Sequence, residues 1–276
     1  MKITAADVNK LRKQTGAGMM DCKKALVESN GDFEQAVDFL RKQGQKVAAK
    51  RSDRDASEGA VLAGTTTDGK RGAIIMLNCE TDFVAQNDDF VKFAQNILNT
   101  AIDKKPDSLE ELKGLPYMDS GISIEERISE QTGVIGEKLE LSSYGTLEAD
   151  KVVAYVHPGN RLASIVGLNK DGNYDDLGRD IAMQVAAMAP VALDKDDVPK
   201  DVVDREIEVG KEQAIQEGKP AEMAEKIAMG RLNKFYQENT LMNQAFIKDN
   251  KKSIKQYLGD AEKGLSVTSF KRFSLS

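Results

Sequence analysis

The stretch Asn78-Cys79-Glu80-Thr81-Asp82-Phe83-Val84-Ala85-Gln86-Asn87 joins two segments of different periodicity. Before it, Arg71 to Leu77 is apolar and rich in β-branched residues (Ala73, Ile74, Ile75, Met76, Leu77), the pattern of a buried strand. After it, Asp88 to Asn99 sets Phe90, Val91, Ala94, Ile97 and Leu98 at helical spacing, with Asn87 or Asp88 as the N-cap. The stretch is therefore a strand-to-helix turn, and it places a large aromatic, Phe83, beside Asp82 where the chain runs over the surface. Two roles fit Phe83. It can staple the turn onto the first turn of the following helix, or it can be offered outward as a contact.

Outward from this turn, helices and strands come in blocks, which predicts an α+β fold. Upstream, Gly59–Thr66 pairs with Arg71–Asn78 through Thr67-Asp68-Gly69-Lys70, where Asp-Gly is a hairpin signal. Downstream, a helical stretch from Leu109 to Ile135 leads to strands at Lys138–Ser143, Val152–Val156 and Ala163–Leu168. His157-Pro158-Gly159-Asn160-Arg161 forms a tight turn between the last two strands. Asp175–Ala189 carries Leu177, Ile181, Val185 and Met188 on one face and reads as a helix covering a sheet. From Pro199 to Glu238 two charged helices are broken at Gln216-Glu217-Gly218-Lys219-Pro220, the punctuation of an antiparallel helical hairpin. A short helix at Lys251–Leu258 and a closing strand at Leu265–Phe273 complete the chain. At the other end, residues 4–43 form three short helices separated by Thr15-Gly16-Ala17-Gly18 and Asn30-Gly31, with the second starting at Asp21. The expected division is a three-helix domain at 1–44, a solvated and partly helical linker at 45–58, and an α+β core at 59–190 in two subdomains with antiparallel sheets. The core is completed by 239–276, and a coiled-coil hairpin at 191–238 protrudes from it.

Composition narrows the chemistry. A net charge of −6 and a pI near 5.2 argue against a broad nucleic-acid surface. The only cysteines, Cys22 and Cys79, and the single histidine, His157, leave no material for a disulfide framework or a multi-histidine metal centre. No metal or cofactor is expected. No apolar run reaches the roughly 20 residues that span a bilayer, and the N-terminus lacks an apolar signal core. The expected compartment is the cytoplasm, with neither membrane nor nucleic acid as a direct partner and a homodimer left open. Gly16-Ala17-Gly18 has no preceding strand and lacks the third glycine of a dinucleotide fingerprint. Cys79 beside Glu80 is a conceivable thiol nucleophile, but nothing basic neighbours it to favour the thiolate. No catalytic constellation is present, and the chain reads as one that acts by contact.

Three motifs carry a resemblance. They are Leu11-Arg12-Lys13-Gln14-Thr15-Gly16-Ala17-Gly18-Met19-Met20-Asp21-Cys22-Lys23-Lys24-Ala25-Leu26, then Glu80-Thr81-Asp82-Phe83-Val84-Ala85, and then Gly218-Lys219-Pro220 with Ala224-Glu225-Lys226-Ile227 and Gly230-Arg231. In order and spread, the sequence resembles the bacterial translation elongation factor Ts family. The resemblance implies a nucleotide exchange factor, not an enzyme, that promotes GDP release from the GTPase elongation factor Tu. It implies that Arg12, Met19 and Met20 of a ubiquitin-associated-like N-terminal domain contact the partner. It also implies that Thr81, Asp82, Phe83 and Val84 form a wedge that dislocates magnesium in the partner, that His157 inserts at a second point, and that the helical hairpin reaches further along it. An alternative from another class is an adaptor that binds peptides or helices through the three-helix domain, with Phe83 serving only as packing.

Overall fold

The computed structural model describes residues 3–275. The chain begins with α1 (Ala5–Thr15), α2 (Met19–Glu28) and α3 (Phe33–Lys50), followed by the hairpin β1 (Glu58–Thr65) and β2 (Arg71–Cys79). Next come α4 (Asp82–Ala85), α5 (Asp88–Lys104), α6 (Leu109–Gly114), α7 (Ile124–Ile135) and β3 (Glu140–Glu148). A second hairpin, β4 (Lys151–Val156) and β5 (Leu162–Leu168), precedes α8 (Asp175–Met188) and the long pair α9 (Lys200–Gln216) and α10 (Ala221–Asn239). The chain closes with β6 (Ala245–Phe246), β7 (Asp249–Ser253), α11 (Ile254–Ala261) and β8 (Val267–Ser274). The fold is α+β, as the grouping of helices and strands in blocks predicts.

Two three-stranded antiparallel sheets, ordered β1-β2-β3 and β4-β5-β8, pack face to face. Successive residues of a strand point to opposite faces, so β1 and β2 divide their apolar residues between two cores. Leu62, Ile75 and Leu77 meet Phe90, Phe93, Ala94, Ile97 and Leu98 of α5. Val61 and Ile74 meet Val152, Ala163 and Ile165 of the second sheet. On its outer face the second sheet is covered by α8, where Val166 and Leu168 pack against Ile181 and Val185. The result is four layers: helix, sheet, sheet, helix. β8 returns to pair with β5, which closes the chain onto its middle.

The three N-terminal helices enclose Val8, Leu11, Cys22, Ala25, Leu26 and Ala36. Thr4 caps α1 in a reciprocal exchange with Asp7, and Gly16 ends it at φ 76°. α2 starts at Met19, two residues before the expected Asp21, with Gly18 as its N-cap. α3 runs on to Lys50, through the start of the stretch expected as linker. Lys42, Lys46 and Lys50 are exposed along this extension, while Gly44 is buried where α3 crosses α7. A Cβ on Gly133 of α7 would stand 2.3 Å from the Gly44 Cα. Arg41 reaches Glu130 of α7 at 2.7 Å. The charged stretch is thus in part a docking arm, because its charges alternate with a small-residue face that periodicity in lysines conceals.

α9 and α10 form the expected antiparallel hairpin, turning at Gly218 (φ 77°) with Pro220 preceding α10. Gly210 approaches Ala228, and Ala214, Ala224, Ala228 and Leu232 fill the seam. Ile215 and Met223 are exposed near the hairpin turn, because small residues rather than large ones set the helix spacing. The helix expected from Lys251 begins instead at Ile254. Lys251–Ser253 belongs to β7, and Ser253 caps α11 in a reciprocal exchange with Gln256.

The α3–α7 crossing generates a prediction. Gly133→Ala forces backbone against backbone, so overpacking should destabilise the protein by about 1–3 kcal/mol. Thermal unfolding should show it, with the loss reported chiefly by probes on the three N-terminal helices.

Candidate protein-contact site

β2 delivers its last residue, Cys79, to the end of the first sheet, and Thr81 then caps the single turn α4, its hydroxyl accepting from the Val84 N–H at 3.4 Å. Val84 and Ala85 turn inward onto the α5 core. Phe83 points the other way and is 84% exposed. The staple reading is therefore wrong: the inward positions of this turn are taken by Val84 and Ala85, and the aromatic is left in water. An exposed phenylalanine forgoes about 1.5–3 kcal/mol of burial within the chain.

The turn is held from behind. The Thr81 N–H donates to Glu137 Oε2 at 3.1 Å, and the Thr81 hydroxyl donates to Oε1 at 2.7 Å. In return the Lys138 N–H donates to Glu80 Oε1 at 2.6 Å. Arg51, just past α3, donates from Nη1 to both Glu80 oxygens at 2.8 and 2.9 Å. The Lys138 N–H, followed by the Arg51 guanidinium, holds the Glu80 carboxyl below its ordinary value of 4.5. Glu137 and Arg51 carried no sequence signal. Each lies far along the chain from the turn, and a single acidic or basic residue in a charged chain marks nothing by itself.

His157 sits at the tip of the β4–β5 hairpin, exposed, with Nδ1 2.9 Å from the Tyr155 hydroxyl. The Asn160 N–H donates to the His157 carbonyl at 3.0 Å and Gly159 adopts φ 88°. Pro158 therefore occupies the position a type II turn prefers for proline, ahead of the glycine that needs positive φ. The tip is tied to the first sheet: the Val61 N–H donates to the Asn160 carbonyl at 2.7 Å, and Arg161 pairs with Glu58. Glu58 lies opposite Cys79 in register. Thr81–Val84 and His157 are thus brought to one end of the stacked sheets.

Met19 and Met20, on the first turn of α2, are 57% and 73% exposed, and Arg12 is exposed on the last turn of α1. Gly16, between these helices, lines a cavity of about 290 Å³ together with Val84, Asn87, Phe90 and Val134. The α1–α2 turn therefore lies beside the Phe83 turn.

Cys79 is fully buried, its thiol donates to the Thr81 carbonyl at 3.2 Å, and its pKa is pushed up to about 12 by burial and then by the charge of Glu137. A thiol so held is not a nucleophile, which removes the thiol-enzyme reading. Among the described residues there is no group of three His, Cys, Asp or Glu side chains that could hold a metal ion, and no helix is long and apolar enough to cross a membrane.

The α+β scaffold thus presents an unburied aromatic on a turn fastened from behind, a candidate protein-contact surface. A family model described as "Elongation factor TS" matches residues 80–276. A protein named elongation factor Ts from Cytophaga hutchinsonii is 54% identical over 99% of both chains. One from Christiangramia forsetii is 52% identical over 99% of both, and one from Porphyromonas gingivalis is 50% identical over 100% of this chain and 99% of its own. The chain belongs to the elongation factor Ts family.

Two outcomes are expected from the site's chemistry. In the native protein at pH 8 neither buried cysteine should react with a thiol reagent, whereas both should react in guanidinium. The Glu80 carboxyl is lower in the folded chain than in the unfolded one, so its contribution is complete above about pH 4.5 and is lost as pH falls through the lowered value. Protection of the Lys138 amide against hydrogen exchange, corrected for intrinsic rates, should hold from pH 7 to about 4.5 and fall below it.

Proposed function

We propose that this chain promotes release of GDP from elongation factor Tu in translation elongation, acting in the cytoplasm. Phe83 inserts among side chains of the GTPase while Asp82 approaches the region that organises Mg²⁺ and the phosphates. Thr81 and Val84 complete the wedge, His157 makes a second insertion, and Arg12, Met19 and Met20 hold the nucleotide-binding domain. Soft, exposed methionines suit an adaptable contact. The observation that carries the reading is the exposure of Phe83 on a turn anchored through Thr81, Val84 and Ala85.

The energetics need no covalent step. A GTPase holds its nucleotide largely through Mg²⁺ and phosphate-loop contacts. A factor that binds the empty GTPase more tightly than the GDP form lowers GDP affinity by the same ratio. A weakening of ~10⁴-fold corresponds to about 5.5 kcal/mol of differential binding. A central aromatic anchor in an interface of ordinary size supplies energy of that order. No nucleic acid, membrane or cofactor enters this scheme.

Release of a fluorescent GDP from elongation factor Tu, at matched Mg²⁺, tests it. The wild-type chain should accelerate release, and Phe83→Ala should reduce the acceleration about 30-fold, the equivalent of roughly 2 kcal/mol at a buried hot spot. Because the side chain is 84% exposed, the same change should move stability by no more than about 0.5 kcal/mol. Asp82→Ala should also slow release while circular dichroism stays native. Absence of any acceleration by the wild-type chain would return the adaptor reading to first place.

A further inference from the structure

The bonds behind the Phe83 turn form a reciprocal pair. The carboxylate of residue 80 accepts from the backbone N–H of residue 138, and the carboxylate of residue 137 accepts from the backbone N–H of residue 81. Each of two adjacent dipeptides, Glu80-Thr81 and Glu137-Lys138, thus contributes one acceptor side chain and one donor main chain to the other. The Thr81 hydroxyl adds a third bond to Glu137 while accepting from Val84, so the cap of α4 and the clasp share one side chain. Both Glu137 oxygens are used, which fixes its plane as well as its position. Charge-assisted bonds of this kind are short and directional. Arg51 extends the clasp to the end of α3, the helix whose other end belongs to the unit carrying Met19 and Met20.

None of these groups needs to touch a partner. Glu137 is half-buried behind the turn, and α4 is only four residues long, too short to hold its own geometry. Without the clasp, the orientation of Phe83 would rest on Val84 and Ala85 alone. We infer that Glu137 and Glu80 are positioning residues for nucleotide exchange, fixing the direction in which Phe83 enters the partner. The inference rests on the exchange reading and adds to it the groups that aim the wedge.

The test uses the full-length chain and elongation factor Tu loaded with fluorescent GDP, with release measured across a range of factor concentrations. Glu137→Ala should lower the maximal release rate about tenfold, as loss of orientation does, with the half-saturating concentration changed less than about threefold. Partial unfolding would do the reverse: it shrinks the active fraction, raising the apparent half-saturating concentration and leaving the maximal rate alone. Glu137→Gln, which keeps the shape and one acceptor oxygen, should fall between wild type and Glu137→Ala. The double variant Phe83→Ala with Glu137→Ala should be no slower than Phe83→Ala, because a positioning residue has nothing left to position. Amide exchange at Thr81 and Val84 should accelerate in Glu137→Ala. A wild-type maximal rate in Glu137→Ala, or additive losses in the double variant, would overturn the inference while leaving the exchange reading in place. A wild-type chain that does not accelerate release would overturn both.

Discussion

The two-sided burial of β2 is the constraint on which the rest depends. Ile74 must face the second sheet while Ile75 and Leu77 face α5. A one-residue slip would exchange the two sets. Pairing on both edges, with β1 and β3, leaves the strand no freedom to adjust. Where this strand ends, the chain must leave the middle of a four-layer stack and reach the surface within a few residues. It does so at Cys79, and the Thr81–Val84 turn is the exit. The burial that fixes β2 therefore fixes where the turn begins, and the carboxylates behind it fix how it leaves.

What was legible in the sequence followed local periodicity. The apolar, β-branched run in Arg71–Leu77, the helical spacing after Asn87, the Asp-Gly hairpin and the Gly–Pro break in the long hairpin each predicted an element that is present. What was not legible depended on distant residues. Nothing local to Phe83 tells staple from wedge, since the answer lies in Val84 and Ala85 having claimed the inward positions. Glu137 meets Thr81 only once α7 and β3 are in place. Gly44 reads as a weak point in a helix and becomes meaningful only beside Gly133. The position of His157 near the Phe83 turn depends on the pairing of Glu58 with Cys79 and of Arg161 with Glu58, both between residues remote in sequence.

The α9–α10 pair shows the same limit from the other side. The Gly–Pro break between two charged helices predicted the hairpin correctly, yet the seam is closed by Gly210, Ala214, Ala224 and Ala228, and the larger Ile215 and Met223 stand outside. A pattern of apolar positions specifies that two helices pack. It does not specify which of those positions lie between them when small residues allow the backbones to come close.

The crossing of α3 over α7 has a mechanical consequence. With two glycine backbones in contact and a guanidinium lock at each end of the segment, α3 behaves as a strut rather than a tether. The α1–α2 turn that carries the methionine pair and the turn that carries Phe83 are then held at a set spacing. Under the proposed exchange reading, ordering entropy is surrendered by the exposed side chains of Met19, Met20 and Phe83 and not by the backbone between them.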